Sequence, residues 1–139
     1  MILFREFEHD DWLNIEDAVE PFMPSDSDFL ANVNRGISVT AIEDGAVMAC
    51  GGIVIDSDTE GTVWCKVSKK CADNPFMWAR TIREAFDLMK DSVGDLRIST
   101  YILDGFCKGD GLARLIGLKK SEETEENNGN VYYRYTEVA

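Results

Sequence analysis

The residues from Lys66 to Asn74 have the types and the order of a segment that can hold an anionic ligand. They lie where an apolar stretch, 62–68, runs through a short polar loop, 69–74, into a helix that begins at Pro75. A strand that enters a helix in this way places backbone N–H groups at the helix N-terminus, where a phosphate can accept hydrogen bonds from them. Phosphate binding by this segment is therefore the main functional question that the sequence raises.

The loop contains charged side chains that favour phosphate binding and one that opposes it. Lys69 and Lys70 can place ammonium groups on a phosphate. Asp73 instead puts a carboxylate beside the helix N-terminus, where it favours the helix dipole and opposes a bound phosphate. The segment from Ser68 to Asn74 contains no glycine, so a Cβ atom accompanies every backbone group that would approach the ligand. The loop residues are therefore compatible with both retained and lost phosphate binding.

The cysteines, the histidine and the acidic residues lack the spacing of a metal site. No two cysteines form a C-x-x-C pair, and the single histidine, His9, lies far from them in sequence. The segment 56–61 mimics the start of a calcium loop, but Val67 stands where such a loop needs a bidentate glutamate. We therefore expect no metal.

The composition is typical of one globular domain. The chain has 139 residues, 45% hydrophobic and 29% charged. Its net charge of -12 argues against nucleic acids and anionic membranes as partners, because no basic cluster is longer than a lysine pair. No secretory signal or membrane-spanning apolar run is visible, and the cysteine usage suits a reducing cytoplasm. We expect a single cytoplasmic domain over residues 1–139.

Seven stretches have the alternation or the apolar run of a β-strand. Their ranges are 2–7, 38–42, Ala46–Ile55, 62–68, 95–103, 118–124 and 130–138. Glycine-containing tight turns at 43–45 and 126–129 join two pairs of them as hairpins. The stretch Ala46–Ile55 is apolar over nearly its whole length, which predicts burial on both faces.

Four stretches have helical spacing, and the third is the clearest. They are a helix that begins at His9, a short helix at 25–33, Pro75–Val93, and a short helix at 111–116. Asn74 is a suitable cap for the third helix, Pro75 fits its first position and Gly94 ends it. Its predicted apolar stripe comprises Phe76, Ala79, Ile82, Phe86, Met89 and Val93. A helix between two strands predicts a right-handed crossover and a parallel strand pair.

The order of these elements, β-α-α-β-β-β-α-β-α-β-β, resembles that of the GNAT N-acetyltransferase superfamily over nearly the whole chain. The stretch 62–68 looks like its fourth strand, Pro75–Val93 like its cofactor-side helix, and 112–120 like its short helix and Leu-Gly-Phe turn. The resemblance implies one α/β (α+β) domain, with a mixed, mostly antiparallel sheet and helices on both faces.

The resemblance also implies acetyl-CoA as a cofactor, bound where the fourth and fifth strands splay. Backbone groups that would pair with the pantetheine arm map to Lys66, Val67 and Ser68. Loop residues that would hold the pyrophosphate map to Lys69, Lys70, Cys71 and Asn74. Catalysis in the family is direct transfer, in which a base removes a proton from an amine and a strand amide polarises the thioester carbonyl.

A base and a proton donor are then expected at the cleft. The candidate base is Glu60. Asp56, Asp58 and His9 are alternatives, and turn formation or helix capping also accounts for all of these residues. The loop of the family enzymes is glycine-rich, whereas the loop of this chain has no glycine.

The proton donor of the family is a tyrosine four residues before the glycine of the Leu-Gly-Phe turn. Counting back from Gly117 gives Ala113, which cannot donate a proton, and Leu118 replaces the phenylalanine. Tyr101 is the candidate substitute and Cys107 the alternative, although ordinary strand and loop roles also account for both.

Three further residues of the central strands have two interpretations each. Trp64 is expected in the core, and the alternative is a wall of the acyl pocket. Gly51 and Gly52 lie inside a strand, which suggests a bulge or a close approach that leaves room for an acceptor.

The sequence supports two functions of different classes. The first is an N-acetyltransferase acting on a small-molecule or protein amine. The second follows from a narrower resemblance, through the Trp64 strand and the helix opened by Pro75, to GNAT-like proteins of tailed phages and prophages, including internal virion proteins. Such a protein would be non-catalytic and would act in the virion or bind a host protein. A homodimer is compatible with either function.

Overall fold

The computed structural model describes residues 2–15, 35–127 and 129–137. The strands are β1 (Ile2–Glu6), β2 (Gly36–Glu43), β3 (Ala46–Ile55), β4 (Glu60–Val67), β5 (Arg97–Leu103), β6 (Leu118–Asn127) and β7 (Asn130–Glu137). The helices are α1 (His9–Asn14), α2 (Pro75–Val93) and α3 (Cys107–Leu115), with a 3₁₀ helix (Lys69–Asp73) before α2. The short helix predicted at 25–33 lies outside the described residues.

The seven strands form one sheet in the order β1-β2-β3-β4-β5-β7-β6. Every neighbouring pair is antiparallel except β4 and β5, which are parallel and are connected through α2. The predicted parallel pair and the mostly antiparallel sheet are therefore confirmed. This single parallel junction divides the sheet into β1–β4 and β5–β7.

Helices cover both faces of the sheet. Helix α1 lies on one, here called the α1 face, where Trp12 packs with Phe7, Ile15 and Cys50. Helices α2 and α3 cover the other, here called the α2 face. There the main core cluster consists of Ile53, Val63, Phe86, Met89, Leu96, Ile98, Ala113, Leu118 and Tyr135.

Local signals place the ends of α2 at the predicted residues. Asn74 is the N-cap residue, Pro75 is the first helical residue, and Gly94 follows the last with a φ of 74°, which a side chain would disfavour. The predicted stripe is wrong at one residue, because the side chain of Phe76 is 86% exposed. Trp78 is the residue of the first turn that is buried.

Two further predictions about local structure are wrong. The segment at 69–74 is not an irregular loop, because Lys69–Asp73 forms a 3₁₀ helix. Helix α3 begins at Cys107, four residues before the predicted start at 111. Gly109 and Gly111 lie inside this helix. Because glycine has a low helix propensity, the sequence pattern did not indicate the first turn of the helix.

None of the helices formed by the described residues combines the length and the apolar character needed to traverse a bilayer.

Candidate functional site

The two halves of the sheet separate at the β4–β5 junction. The parallel register pairs only Glu60 with Arg97, Gly61 with Ile98, and Thr62 with Ser99. Beyond these pairs β4 continues to Val67 and β5 to Leu103. The unpaired ends leave a V-shaped cleft between the two strands, as the resemblance to the GNAT superfamily implies.

Hydrogen-bond direction identifies the backbone groups that line this cleft. The N–H of Ser68 donates to the carbonyl oxygen of Met48 on the β3 side (2.8 Å), whereas the carbonyl oxygen of Thr59 accepts from the N–H of Arg97 on the β5 side (2.8 Å). Backbone groups of successive strand residues alternate between the two sides. The backbone of Val67 therefore faces the cleft, and that of Lys66, like that of Ser68, faces β3.

By the same alternation, Cys65 presents its backbone N–H and carbonyl groups to the cleft. The sequence interpretation missed this residue, because the alternation is fixed by the register with β3. Ala49 is paired with Val67, and Cys50 with Lys66. The open backbone edge in the cleft thus consists of Cys65 and Val67, and it can pair with an extended amide-bearing ligand as a further strand would.

A cavity of about 390 Å³ occupies the cleft and continues on both faces of the sheet. On the α2 face it is walled by apolar residues of α2 and α3, among them Trp78, Phe86 and Leu112. On the α1 face Trp64 and Tyr101 line it. A cavity of this size and character is typical of small-molecule and cofactor sites.

The 3₁₀ helix uses several of the amides that were expected to hold a pyrophosphate. The N–H of Lys70 donates to Ser68 Oγ (3.1 Å), that of Cys71 to the carbonyl oxygen of Ser68 (3.1 Å), and that of Asn74 to the carbonyl oxygen of Cys71 (3.3 Å). Phe76 and Met77, in the first turn of α2, have amide N–H groups without a hydrogen-bond partner among the residues that the structure describes. Any phosphate would therefore meet the helix at these two residues.

The lysines near the cleft point in different directions. Lys66 extends over the α1 face, where its Nζ donates to the carbonyl oxygen of Trp12 (2.5 Å) and lies 4.5 Å from the centroid of the Trp12 ring. Lys69 and Lys70 are exposed beside the start of α2, as is Asp73. Of these three lysines, Lys69 and Lys70 are the two that lie beside the start of that helix.

Burial keeps the thiols of the central strands protonated. It raises the pKa of Cys65 to about 12 and that of Cys71 to about 11, and it raises the pKa of Cys50 further. The Cys71 side chain is held against the carbonyl oxygen of Met48, with Sγ at 3.7 Å. Because a thiolate is the reactive form of cysteine, none of these three is a nucleophile near neutral pH.

The two residues expected to be catalytic lie on the α1 face, on either side of Arg134. Glu60 Oε1 is 3.8 Å from Arg134 Nη2, and Tyr101 is directly opposite Arg134 in the β5–β7 register. Arg134 also donates to Glu123 Oε2 (2.9 Å) and to Ser99 Oγ (3.5 Å). Arg134 could not be identified from the sequence, because only the pairing of β7 with β5 brings it beside Glu60. Glu60 and Arg134 lie outside the cavity lining, whereas Tyr101 is part of it.

The alternative candidates are spread more widely. Asp56 lines the cavity and accepts a hydrogen bond from Thr62 Oγ1 (2.6 Å), whereas Asp58 and His9 are exposed outside the cavity lining. Cys107, the alternative proton donor, is an exposed residue at the start of α3, where its Sγ lies 3.8 Å from the carbonyl oxygen of Gly105.

Tyr132 is a further tyrosine of the cavity that the sequence pattern indicated only as a strand residue. It is 8% exposed, lies opposite Leu103 and lines the cavity. Its hydroxyl has no hydrogen-bond partner within the described part of the chain. Ala113, which stands at the position of the family's tyrosine, is a buried residue of α3 and lines the same cavity.

Another tyrosine, Tyr135, holds α3 on the sheet and lies outside the cavity lining. Its hydroxyl donates to Asp110 Oδ1 (2.5 Å), and Asp110 forms an ion pair with Arg114 one turn further along α3 (2.9 Å). Burial, followed by the hydrogen bond to Asp110, raises the pKa of Tyr135 to about 12. Tyr135 is therefore a structural residue that stays protonated.

The described residues contain no group of three or more histidine, cysteine, aspartate or glutamate side chains arranged to hold a metal ion.

No protein-family model matches the chain, and no curated protein matches it in sequence. Solved structures do match. A GNAT-family acetyltransferase from Streptococcus pneumoniae superposes with a TM-score of 0.73 at 17% identity, over 99% of this chain and 98% of that one. The ribosomal-protein-S18-alanine N-acetyltransferase from Escherichia coli gives 0.73 at 12% identity, over 99% and 93%.

A third match is a GNAT-family acetyltransferase from Elizabethkingia anophelis whose structure contains acetyl-CoA. Its TM-score is 0.71 at 11% identity, over 98% of this chain and 97% of that one. These superpositions extend over nearly the whole length of both chains in each case. At identities this low the likeness establishes the architecture and leaves the chemistry open. The chain has the GNAT acetyltransferase fold.

Proposed function

We propose that the protein binds acetyl-CoA and transfers its acetyl group to an amine. The observation that carries this proposal is the open backbone edge of Cys65 and Val67, which lines an apolar cleft leading to the N-terminus of α2. Structures of the same fold include an acetyltransferase with acetyl-CoA bound, which supports the cofactor class.

The chain's own residues fit the two ends of this ligand unequally. The cleft offers a backbone edge for the amides of the pantetheine arm and an apolar wall for its methylene groups. At the nucleotide end, the free amides of Phe76 and Met77 and the exposed Lys69 and Lys70 are available to the phosphates. Asp73 is also exposed there and opposes them. We therefore expect the pantetheine arm to contribute more of the affinity than the phosphates.

The α1 face supplies the groups for the transfer itself. Acetyl-CoA supplies a thioester whose carbonyl carbon the amine attacks, so that a C–N bond forms as the C–S bond breaks. Glu60, acting through a water, accepts the proton that the amine loses. Tyr101 donates a proton to the leaving sulfur, and the cleft amide of Cys65 or Val67 polarises the carbonyl. Arg134 forms an ion pair with Glu60 on this face (3.8 Å).

Isothermal titration tests the proposal directly. We expect acetyl-CoA and CoA to bind with a stoichiometry of one and with micromolar to submillimolar affinity. If neither ligand binds at millimolar concentration, the proposal is wrong. Once binding is shown, incubation with acetyl-CoA and a panel of amines, followed by mass spectrometry, would identify the acceptor.

The hydrogen bonds inside the 3₁₀ helix favour a second candidate function. Because the amides of Lys70, Cys71 and Asn74 are already paired, the segment is a poor pyrophosphate site. On this reading the protein is a non-catalytic GNAT-fold protein of a phage or prophage that acts in the virion or binds a host protein, as a monomer or a homodimer. Absence of CoA binding, together with specific capture of one host or virion protein, would favour it over the enzyme.

A further inference from the structure

The cavity extends well beyond the β4–β5 cleft on the α2 face. Its floor crosses β3 and β2, where it is lined by Ala49, Val39 and Ala41, and it reaches Phe4 on β1. We call this part of the cavity, between β4 and β1, the side channel. It is distinct from the α1 face, where Glu60 and Tyr101 lie.

Helix α2 forms the roof of the side channel. Thr81, Ile82 and Ala85 line it, between the two larger buried residues Trp78 and Phe86. Ala41 and Ala49 of the floor and Ala85 of the roof have short side chains. Trp78 packs with Ala41 and Ala49, and the short side chains of the three alanines keep the rest of the lining open.

The side channel is long compared with an acetyl group. Neighbouring strands lie about 4.8 Å apart, so the three spacings from β4 to β1 correspond to about 14 Å. An acetyl group has two carbons and would remain near the cleft. A carbon chain that enters this apolar space would gain dispersion contacts with its lining.

We propose that the side channel binds the acyl chain of the donor, and that the protein uses acyl-CoA thioesters with linear, apolar chains longer than acetyl. This inference rests on the proposed function, because it needs the thioester in the cleft. The amine attacks the same carbonyl carbon and the same C–S bond breaks, so only the chain that is transferred differs. The carbon chain would then run from Cys65 under α2 towards Phe4.

Titration with CoA, acetyl-CoA, butanoyl-CoA, hexanoyl-CoA and octanoyl-CoA tests the inference. Burying one methylene group contributes about 0.8 kcal/mol, which corresponds to about a fourfold gain in affinity for each methylene that enters the channel. We expect affinity to rise along the whole series, because even the octanoyl chain is shorter than the channel's length of about 14 Å. If hexanoyl-CoA binds no more tightly than acetyl-CoA, the inference is wrong.

A larger side chain in the roof of the side channel provides an independent test of the proposal. Ala85→Leu should abolish the gain from acetyl to hexanoyl and leave the affinity for acetyl-CoA within twofold of the wild type. Ala79→Leu, on the same helix outside the cavity lining, is the matched control and should keep the gain. Ala41→Val narrows the floor and serves as a second variant should Ala85→Leu fail to fold. Retention of the full chain-length gain in folded Ala85→Leu and Ala41→Val would overturn the assignment of the channel.

The outcomes separate the two proposals. Binding of CoA and acetyl-CoA without a chain-length gain removes the side channel and leaves the acetyltransferase proposal standing. Absence of binding by every member of the series removes both.

Discussion

Asp11 is the most constrained charged residue among those described. It is 1% exposed and accepts hydrogen bonds from Arg5 Nη1 (2.7 Å), Arg5 Nη2 (2.6 Å), the Glu8 N–H (2.8 Å) and Thr40 Oγ1 (2.7 Å). Burial raises the pKa of Asp11, but the hydrogen bonds from Arg5, Glu8 and Thr40 outweigh it and lower the pKa below its usual value. The carboxylate thus fastens α1 to β1 and β2, beside the α1 face of the cleft.

Replacing this carboxylate should destabilise the protein and change its response to acid. Because the pKa of Asp11 is lower in the folded state than in the unfolded state, its stabilising contribution is present above the unfolded value and is lost as pH falls through the folded value. Asp11→Asn should reduce the free energy of unfolding by about 3 kcal/mol at pH 7 and flatten its decrease below about pH 4.

Urea denaturation at pH 7 and at pH 3 measures both effects. Asp10→Asn, at the exposed neighbouring position, is the control and should behave as the wild type. Equal losses for Asp10→Asn and Asp11→Asn would contradict the assigned role.

Replacing Tyr101 tests the proposed chemistry at the level of a single residue. Tyr101 and Tyr132 lie on the same face of the sheet, but Tyr101 is the one directly opposite Arg134, the ion-pair partner of Glu60, which favours Tyr101 as the proton donor. Tyr101→Phe should lower kcat about 10²-fold and leave KM for acetyl-CoA nearly unchanged, because a proton donor acts in the transition state. Tyr132→Phe removes the hydroxyl of the second tyrosine that lines the cavity and is the matched control. A larger loss of kcat for Tyr132→Phe would reverse the assignment.

At the scale of elements, the junction between β4 and α2 limits the affinity for the nucleotide. Asp73 ends the 3₁₀ helix two residues before α2 begins, so its charge lies close to the free amides of Phe76 and Met77. A carboxylate near a helix N-terminus is worth about 0.3–1 kcal/mol to the helix, and it opposes a second anion by a similar amount.

Removing that charge should tighten CoA binding by about two- to fivefold, as measured by titration. Asp73→Gly removes the charge and also increases the conformational freedom of the backbone, whereas Asp73→Asn removes the charge alone. We expect both variants to bind CoA more tightly than the wild type. Asp95→Asn, beyond the far end of α2, should bind as the wild type does. Unchanged affinity in both Asp73 variants would show that no phosphate lies at this junction.

At the scale of the whole molecule, the proposed binding cleft exists because few residue pairs join the two halves of the sheet. Three parallel residue pairs join β4 to β5, and α2 and α3 pack across the same junction on one face. The cleft is therefore a consequence of the fold, since a longer parallel register would close it. The net charge of -12 should disfavour nucleic acids as partners.

Most of the element order could be predicted from the sequence because its signals are local. Asn74, Pro75 and Gly94 determine the ends of α2 by their own backbone preferences. Strand β3 has the predicted bounds, and the hairpin turn before it contains Asp44 and Gly45 with φ of 51° and 82°. Each of these features depends on residues that are neighbours in the chain, so the sequence alone determines them.

The site was decided by contacts between residues that are far apart in the chain. Pairing of β3 with β4 turns the backbone of Cys65, rather than that of Lys66, towards the cleft. Pairing of β7 with β5 brings Arg134 beside Glu60, and packing of α2 on β2 and β3 buries Trp78 while leaving Phe76 in solvent. The side channel exists only between α2 and three strands. A register, a shared face and a cavity belong to pairs of elements, and only the tertiary structure brings those pairs together.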